Sequence, residues 1–82
     1  MARSIEFTYT AAKWILDNRD WITEDVIVNV VKDFPESERI ALSEKDCFLI
    51  EFRRKKRAKL VQVVAWVHEY PYRFLVYKLH HY

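Results

Sequence analysis

The sequence predicts an α+β fold in which two helices pack on one face of an antiparallel sheet, with the element order β-α-α-β-β-β-β. Two observations lead to this prediction. Apolar residues recur at helical spacing only within the first 35 residues. From residue 36 onward, apolar runs rich in β-branched and aromatic residues alternate with short polar segments typical of turns. With 82 residues and 51% hydrophobic content, the chain suits one small domain over residues 1–82.

The first strand and the helices are predicted from alternation, caps and spacing. Residues 5–9 alternate apolar and polar, as a half-buried strand does. Thr10 is the predicted N-cap of a helix from about residue 11 to 19. A second cap at Thr23 begins a helix whose apolar residues form one stripe until Pro35 stops it.

Four further strands are predicted after the helices. Ser43–Asp46 is polar and is predicted to be a turn, and Pro71 has the fixed φ that suits the last tight connection. The predicted strands are residues 39–42, about 47–54, about 59–69 and about 72–81.

Positive charge is concentrated between two of these strands. Residues 1–52 carry six Lys and Arg against eleven Asp and Glu, whereas residues 53–82 carry eight against one. Six cations fall within seven positions, at the predicted tip of a hairpin. They are Arg53, Arg54, Lys55, Lys56, Arg57 and Lys59. This segment, the basic hairpin, is predicted to bind the phosphates of RNA or another polyanion. The alternative is a solvated tip that prevents edge-to-edge pairing of sheets.

The last strand is predicted to end beside the basic hairpin. If the final turn pairs Glu69 with Tyr72, the end of the strand lies opposite residues 59 and 60. An imidazole titrates near neutrality, and adjacent cations stabilise a pentacovalent phosphate, so this end is a candidate ribonuclease site. The candidate catalytic residues are His80, His81 and Tyr82. The alternative is a frayed strand end, and because neighbouring side chains alternate, only one histidine can face a given site.

Composition excludes several kinds of site. Glycine is absent, which excludes the Walker and Rossmann phosphate loops and leaves phosphate binding to side chains. The single cysteine, Cys47, excludes a disulfide framework and a multi-cysteine zinc site, and we expect it in the core with the three tryptophans. No metal site and no cofactor are predicted. No signal peptide or membrane span is visible, so we expect a cytoplasmic protein without a membrane partner.

Several short motifs lie between residues 5 and 31. They are Phe7-Thr8-Tyr9-Thr10-Ala11-Ala12, Ile15-Leu16, Arg19 and Trp21-Ile22-Thr23-Glu24-Asp25-Val26. They resemble a small prokaryotic domain family of unassigned function, whose pattern is a strand, a His-Ala pair opening a helix, and a second helix with Ile-Ser/Thr-x-Glu-Asp-Val. The resemblance implies an architecture like that of the RelE/ParE toxins. Ribonuclease members of that group use basic and Tyr or His side chains, and the group's partners are ribosome-bound messenger RNA, DNA gyrase and a cognate antitoxin.

One position departs from the family pattern. Ala11 stands where the family often has a histidine at the head of the first helix. If that histidine has a chemical role, the resemblance implies a degenerate ribonuclease that binds RNA without cleaving it. The second functional hypothesis is a protein-interaction module that adds a strand from an acidic antitoxin-like protein or from a second copy of itself. The apolar run Phe74–Tyr77 in the last strand is compatible with such pairing.

Overall fold

A computed structural model describes residues 3–82 and contains two helices and five strands. In chain order the elements are β1 (Ser4–Phe7), α1 (Tyr9–Asp17), α2 (Glu24–Asp33), a 3₁₀ turn (Glu36–Glu38), β2 (Ile40–Ala41), β3 (Cys47–Lys56), β4 (Lys59–Glu69) and β5 (Arg73–His81). The fold is α+β, as predicted. Neither helix in this part of the chain is long and apolar enough to cross a membrane.

The strands form one mixed sheet in the order β1-β5-β4-β3-β2. Strands β2 to β5 pair antiparallel with their neighbours in sequence. Strand β1 instead pairs parallel with β5, with Ile5 opposite Phe74 and Phe7 opposite Val76. The prediction of a purely antiparallel sheet is therefore wrong. No hairpin joins β1 to the other strands, so its direction is set by pairing at the sheet edge and not by a tight turn.

The register of β4 and β5 also differs from the prediction. Val63 pairs with His81, and Tyr82 exchanges two backbone hydrogen bonds with Gln62. The predicted pairing of residues 59 and 60 with the end of β5 is therefore wrong. The last turn is centred one residue later than predicted, and a β-bulge at Tyr77 adds a further residue to β5.

Helix α1 begins two residues earlier than predicted because Thr8, and not Thr10, is its N-cap. The Thr8 hydroxyl accepts a hydrogen bond from the Ala11 N–H at 3.3 Å. The Thr8 N–H donates to the Val76 carbonyl at 3.0 Å, so the same residue ends β1 and starts the helix. Helix α2 begins after Thr23, as predicted.

The core lies between the two helices and one face of the sheet. Trp14 and Trp21 are half-buried against it. Trp66 points to the opposite face, because its neighbours on β4 are both core residues, and Lys78 lies over its ring. The expectation that all three tryptophans are core residues is therefore wrong for Trp66. Cys47 is buried, but it also lies on the helix-free face. The largest fully buried side chains are Ile22, Ile27, Ile50, Val63, Val67 and Val76.

The sheet is five strands wide at one end and three strands wide at the other. Strand β1 pairs only with residues 73–76 of β5, and β2 pairs only with Phe48 and Leu49 of β3. Both short strands therefore lie at the end where β4 meets β5, which we call the wide end. Only β3, β4 and β5 continue to the narrow end, which the basic hairpin closes.

An arginine clamp holds the wide end together. The Arg39 guanidinium lies 4.4 Å from the ring centre of Phe48 and 5.3 Å from that of Phe74. It also lies 3.8 Å from a carboxylate oxygen of Glu69, which a second arginine, Arg3, contacts as well. The clamp thus links the segment before β2 to β3, β4 and β5 and, through Glu69, to Arg3 next to the start of β1.

Candidate polyanion-binding surface

The basic hairpin is a regular two-stranded ribbon. Strands β3 and β4 pair without interruption from Cys47 and His68 to Lys56 and Lys59. Strand β3 extends to residue 56, two residues beyond its predicted end, so four of the six cations belong to the strand and not to a loop. The turn contains only Arg57 and Ala58. The ribbon therefore holds the cations at defined positions.

The hairpin turn has an arginine at a backbone position where tight turns usually have glycine. Arg57 has φ 57°, in the left-handed region that two-residue hairpin turns normally fill with glycine. A side chain with a Cβ atom is disfavoured there by about 1–2 kcal/mol. The turn thus keeps a cation at its outermost position at the expense of backbone strain.

Most of the hairpin cations are exposed, and none of them has an ion-pair partner among residues 3–82. Arg53 and Lys55 point to the helix-free face, whereas Arg54 and Lys56 point to the helix side. All six except Lys56 are exposed. Among residues 3–82, no carboxylate lies within 4.0 Å of any of the six. The ion pairs found among residues 3–82 lie away from the hairpin, at the wide end and on β1. They are Arg3–Glu69, Arg39–Glu36, Arg39–Glu69 and Arg73–Glu6.

Lys56 turns back from the hairpin to an aromatic cluster. Its Nζ lies 3.3 Å from His81 Nε2 and 5.4 Å from the ring centre of Trp21. The His81 ring packs edge-on against Trp14 and Trp21, at 5.7 and 5.0 Å between ring centres. The predicted proximity of the end of β5 to the root of the hairpin is therefore confirmed, although the register that led to it is wrong.

The environment of His81 favours its neutral form. Burial lowers the pKa of His81 below its ordinary value, and the charges of Lys56 and His80 lower it further. An ammonium group can only donate, so the contact requires His81 Nε2 to accept and places the ring proton on Nδ1. The buried Nδ1 has no hydrogen-bond partner among the described residues. With its lone pair occupied and its charged form disfavoured, His81 is poorly suited to exchange protons with a substrate.

His80 and Tyr82 lie on the opposite face from His81. Their rings are nearly perpendicular, with 4.7 Å between ring centres, and the Tyr82 side chain is 72% exposed. Tyr82 pairs with Gln62, which pairs with Arg53, so Tyr82 lies two strands from Arg53, or about 10 Å, on the same face. The structure thus places His81 on the helix side and His80 and Tyr82 on the other face of the sheet. At the end of the sheet, His81 and Tyr82 both line an open cavity of about 580 Å³ together with the hairpin cations Lys56, Arg57 and Lys59.

Two features of this surface were missed from the sequence. The sequence predicts Trp14 and Trp21 only as core residues, whereas in the structure both also pack against His81 and Trp21 lies beneath Lys56. The second feature is the part of β3 beyond Leu49, which has no strand beside it on the β2 side among the described residues. The predicted strand at residues 39–42 is too short to pair with the whole of the predicted strand at about 47–54, so the sequence already indicates this unpaired stretch. In the described part of the chain, no three His, Cys, Asp or Glu residues cluster in a way that could hold a metal ion.

Comparison with known proteins identifies no relative: no family model, no curated protein and no solved structure matches the chain. Functional inference therefore rests on the geometry and chemistry of this surface.

Proposed function

We propose that this chain binds single-stranded RNA, or a polyanion with the same phosphate chemistry, through the basic hairpin. The observation that carries the proposal is the absence of any carboxylate within 4.0 Å of the six hairpin cations among residues 3–82. Arginine guanidinium groups can contact two phosphate oxygens at once, and each phosphate neutralised releases a counterion. A bound polyanion would therefore neutralise charges that no carboxylate in residues 3–82 contacts.

Protection of the sheet edge alone does not explain this charge density. A few lysines or one proline are enough to prevent an edge strand from pairing with another sheet. Here Arg53 to Arg57 are five consecutive cations, and neighbours on one face lie only two residues apart. Their mutual repulsion opposes folding, and a bound polyanion would remove it.

Exposed aromatic and apolar side chains beside the cations favour single-stranded RNA over an RNA double helix as the ligand. Tyr82 is 72% exposed, His80 lies against it, and Leu60 on the neighbouring strand is 63% exposed. Unpaired bases stack on aromatic side chains, whereas the bases of a duplex are already stacked on one another. Phosphates on the hairpin and a base on Tyr82 together match the chemistry of single-stranded RNA.

A relationship to RelE/ParE-like proteins is part of this proposal. It is supported by the motifs between residues 5 and 31 and by the two helices that separate β1 from the other strands. Ala11 is fully buried in the core, so an imidazole at this position would not fit without repacking. Burial and the charge of Lys56 also lower the pKa of His81 and disfavour its charged form, and together these features favour RNA binding without cleavage.

The test compares two variants of equal net charge. Arg53→Gln, Arg54→Gln and Arg57→Gln are combined in the hairpin variant. The control combines Lys13→Gln, Arg19→Gln and Lys32→Gln, which remove three exposed cations from the helical half. Fluorescence anisotropy with a labelled single-stranded RNA measures the affinity of each.

We expect the hairpin variant to bind RNA more than tenfold more weakly than the control variant. Equal losses in the two variants would show that only net charge matters and would overturn the proposal. The same samples on a denaturing gel report cleavage. Cleavage that disappears in a His80→Ala variant would instead identify a ribonuclease.

A further inference from the structure

Strand β3 has an open edge along its basic half. Strand β2 pairs with Phe48 and Leu49 and then ends. From Glu51 to Lys56, β3 has β4 on one side and no strand on the other among residues 3–82. Every residue of this open edge except Phe52 and Lys56 is exposed, so no helix covers it.

The backbone groups that face the open edge follow from the hydrogen bonds at the wide end. The Leu42 N–H donates to the Cys47 carbonyl at 3.0 Å, so Cys47 directs its backbone groups away from β4. The β3–β4 register runs without irregularity from residue 47 to 56. Alternate residues of a strand direct their N–H and C=O groups to the same side. Glu51, Arg53 and Lys55 therefore present their backbone groups at the open edge.

A second hydrogen-bond pattern leads independently to the same assignment. Gln62, the partner of Arg53 on β4, directs its N–H and C=O to Tyr82 on β5. Arg53 and Gln62 are therefore a non-hydrogen-bonded pair, and the backbone groups of Arg53 must point away from β4.

We propose that this open edge accepts an acidic peptide in extended conformation as an additional strand. The main-chain groups at Arg53 and Lys55 would hydrogen-bond the peptide backbone. Exposed cationic side chains flank these groups on both faces of the sheet, with Arg54 on the helix side and Arg53 and Lys55 on the helix-free face. Carboxylates at successive positions of the added strand would lie beside these cations, since directly opposite charges of unlike sign stabilise a strand pair.

Charge also decides against a second copy of this chain as the occupant. Pairing two β3 edges about a twofold axis would bring residues 53–56 of one copy beside the same residues of the other. Like charges on directly opposite residues destabilise a strand pair, and basic edge strands resist self-association for this reason. An acidic chain meets no such repulsion along residues 53–56, which are all cationic.

This inference goes beyond RNA binding because it uses the backbone of β3, whereas phosphates need only the side chains. A peptide on the open edge would cover the cations, so the two ligands would compete for the hairpin. The experiment must therefore separate main-chain hydrogen bonding from charge.

Arg53→Pro and Arg53→Gln make this separation. Both remove the same charge, but only proline removes the N–H that faces the open edge. Proline is tolerated on an edge strand where its N–H would face away from the partner strand. The probe is a labelled short peptide of alternating Glu and Val, and its control is the same peptide with alternate backbone nitrogens methylated. Binding is measured by fluorescence anisotropy, and circular dichroism checks that each variant is folded.

We expect Arg53→Pro to bind the peptide about tenfold more weakly than Arg53→Gln. We also expect the methylated peptide to bind the unaltered protein at least tenfold more weakly than the unmethylated one. Equal affinities of the folded Arg53→Pro and Arg53→Gln proteins would overturn the inference. Equal binding of the two peptides, or no peptide binding at low salt, would do the same. If the Arg53→Pro protein does not fold, the comparison of the methylated with the unmethylated peptide on the unaltered protein is a sufficient test by itself.

Single-stranded RNA measured on the same variants separates this inference from the proposed function. RNA should bind the two Arg53 variants equally, because they carry the same charge. Peptide binding without RNA binding would overturn only the proposed function. RNA binding with no effect of backbone methylation on the peptide would overturn only the strand-addition inference.

Discussion

Replacing Arg39 by alanine should destabilise the protein more than any other change of an arginine in the described chain. Its side chain is only 17% exposed, and its guanidinium contacts the rings of Phe48 and Phe74 as well as Glu69. Each ring contact contributes about 0.5–1 kcal/mol. The partly exposed ion pairs add less than about 1 kcal/mol. The largely buried stem contributes about 0.8 kcal/mol for each methylene removed from water.

These contributions predict a loss of about 3 kcal/mol for Arg39→Ala, after allowing for relief of the buried, unpaired Nε. In a domain of this size, 1 kcal/mol shifts the melting temperature by about 4–8 °C, so we expect a decrease of about 12–24 °C. Arg39→Met keeps an apolar stem of similar length and should lose about half as much.

Thermal unfolding followed by circular dichroism measures these shifts. Arg19→Ala is the matched control, because Arg19 is exposed, and it should change the melting temperature by less than about 4 °C. RNA affinity should be unchanged in Arg39→Met, since the clamp lies at the wide end. If Arg39→Ala melts within about 4 °C of the unaltered protein, the clamp does not stabilise the sheet.

Three further predictions concern the narrow end. If all six hairpin cations contact phosphates, RNA affinity should fall about 300-fold between about 50 and about 200 mM salt, and only about 20-fold in the triple hairpin variant; equal slopes would contradict this. Because the pKa of His81 is lowered in the folded state, the unfolded chain takes up a proton first as the pH falls below 6.5. Stability should therefore decrease on acidification, and a His81→Gln variant should lose part of that decrease in urea unfolding at about pH 7.5 and about pH 5; an unchanged pH dependence would refute it. Arg57→Gly should raise the stability by about 0.5–1 kcal/mol by relieving the positive φ. Ala58→Gly, beside it, should not, and equal effects would show that the strain is absent.

Local features of this fold could be predicted from the sequence. The cap at Thr23 and the apolar stripe after it indicate α2, whose observed start matches. The basic hairpin and its flanking strands follow from a charge run between two apolar runs. These signals need only near neighbours, because caps, spacing and turns act within a few residues.

Features that depend on distant contacts could not be predicted. The choice between Thr8 and Thr10 as the cap of α1 is set by a hydrogen bond from Thr8 to Val76, far along the chain. The direction of β1 depends on its pairing with β5, for which no turn supplies a signal. The bulge at Tyr77 directly follows Val76, the last residue of β5 that pairs with β1, so it lies where strands distant in sequence meet.

The candidate site shows the same division. The charge run in the sequence predicts the cluster of cations, and the order of the hairpins predicts its proximity to the end of β5. The roles within that end depend on side-chain geometry, since only the contacts of His81 with Lys56, Trp14 and Trp21 show that this histidine is half-buried, and this burial lowers its pKa.

The parallel pairing of β1 with β5 has a consequence for the order of folding. The hairpins β3–β4 and β4–β5 close short loops, whereas Ile5 meets Phe74 only after almost the whole intervening chain has been ordered. Closing a long loop costs more entropy than closing a short one, so contacts of this kind form late and slow the search. We therefore expect β3, β4 and β5 to assemble before β1 docks. In native-state hydrogen exchange, amides in β1 should open at lower free energy than those at the centre of β4.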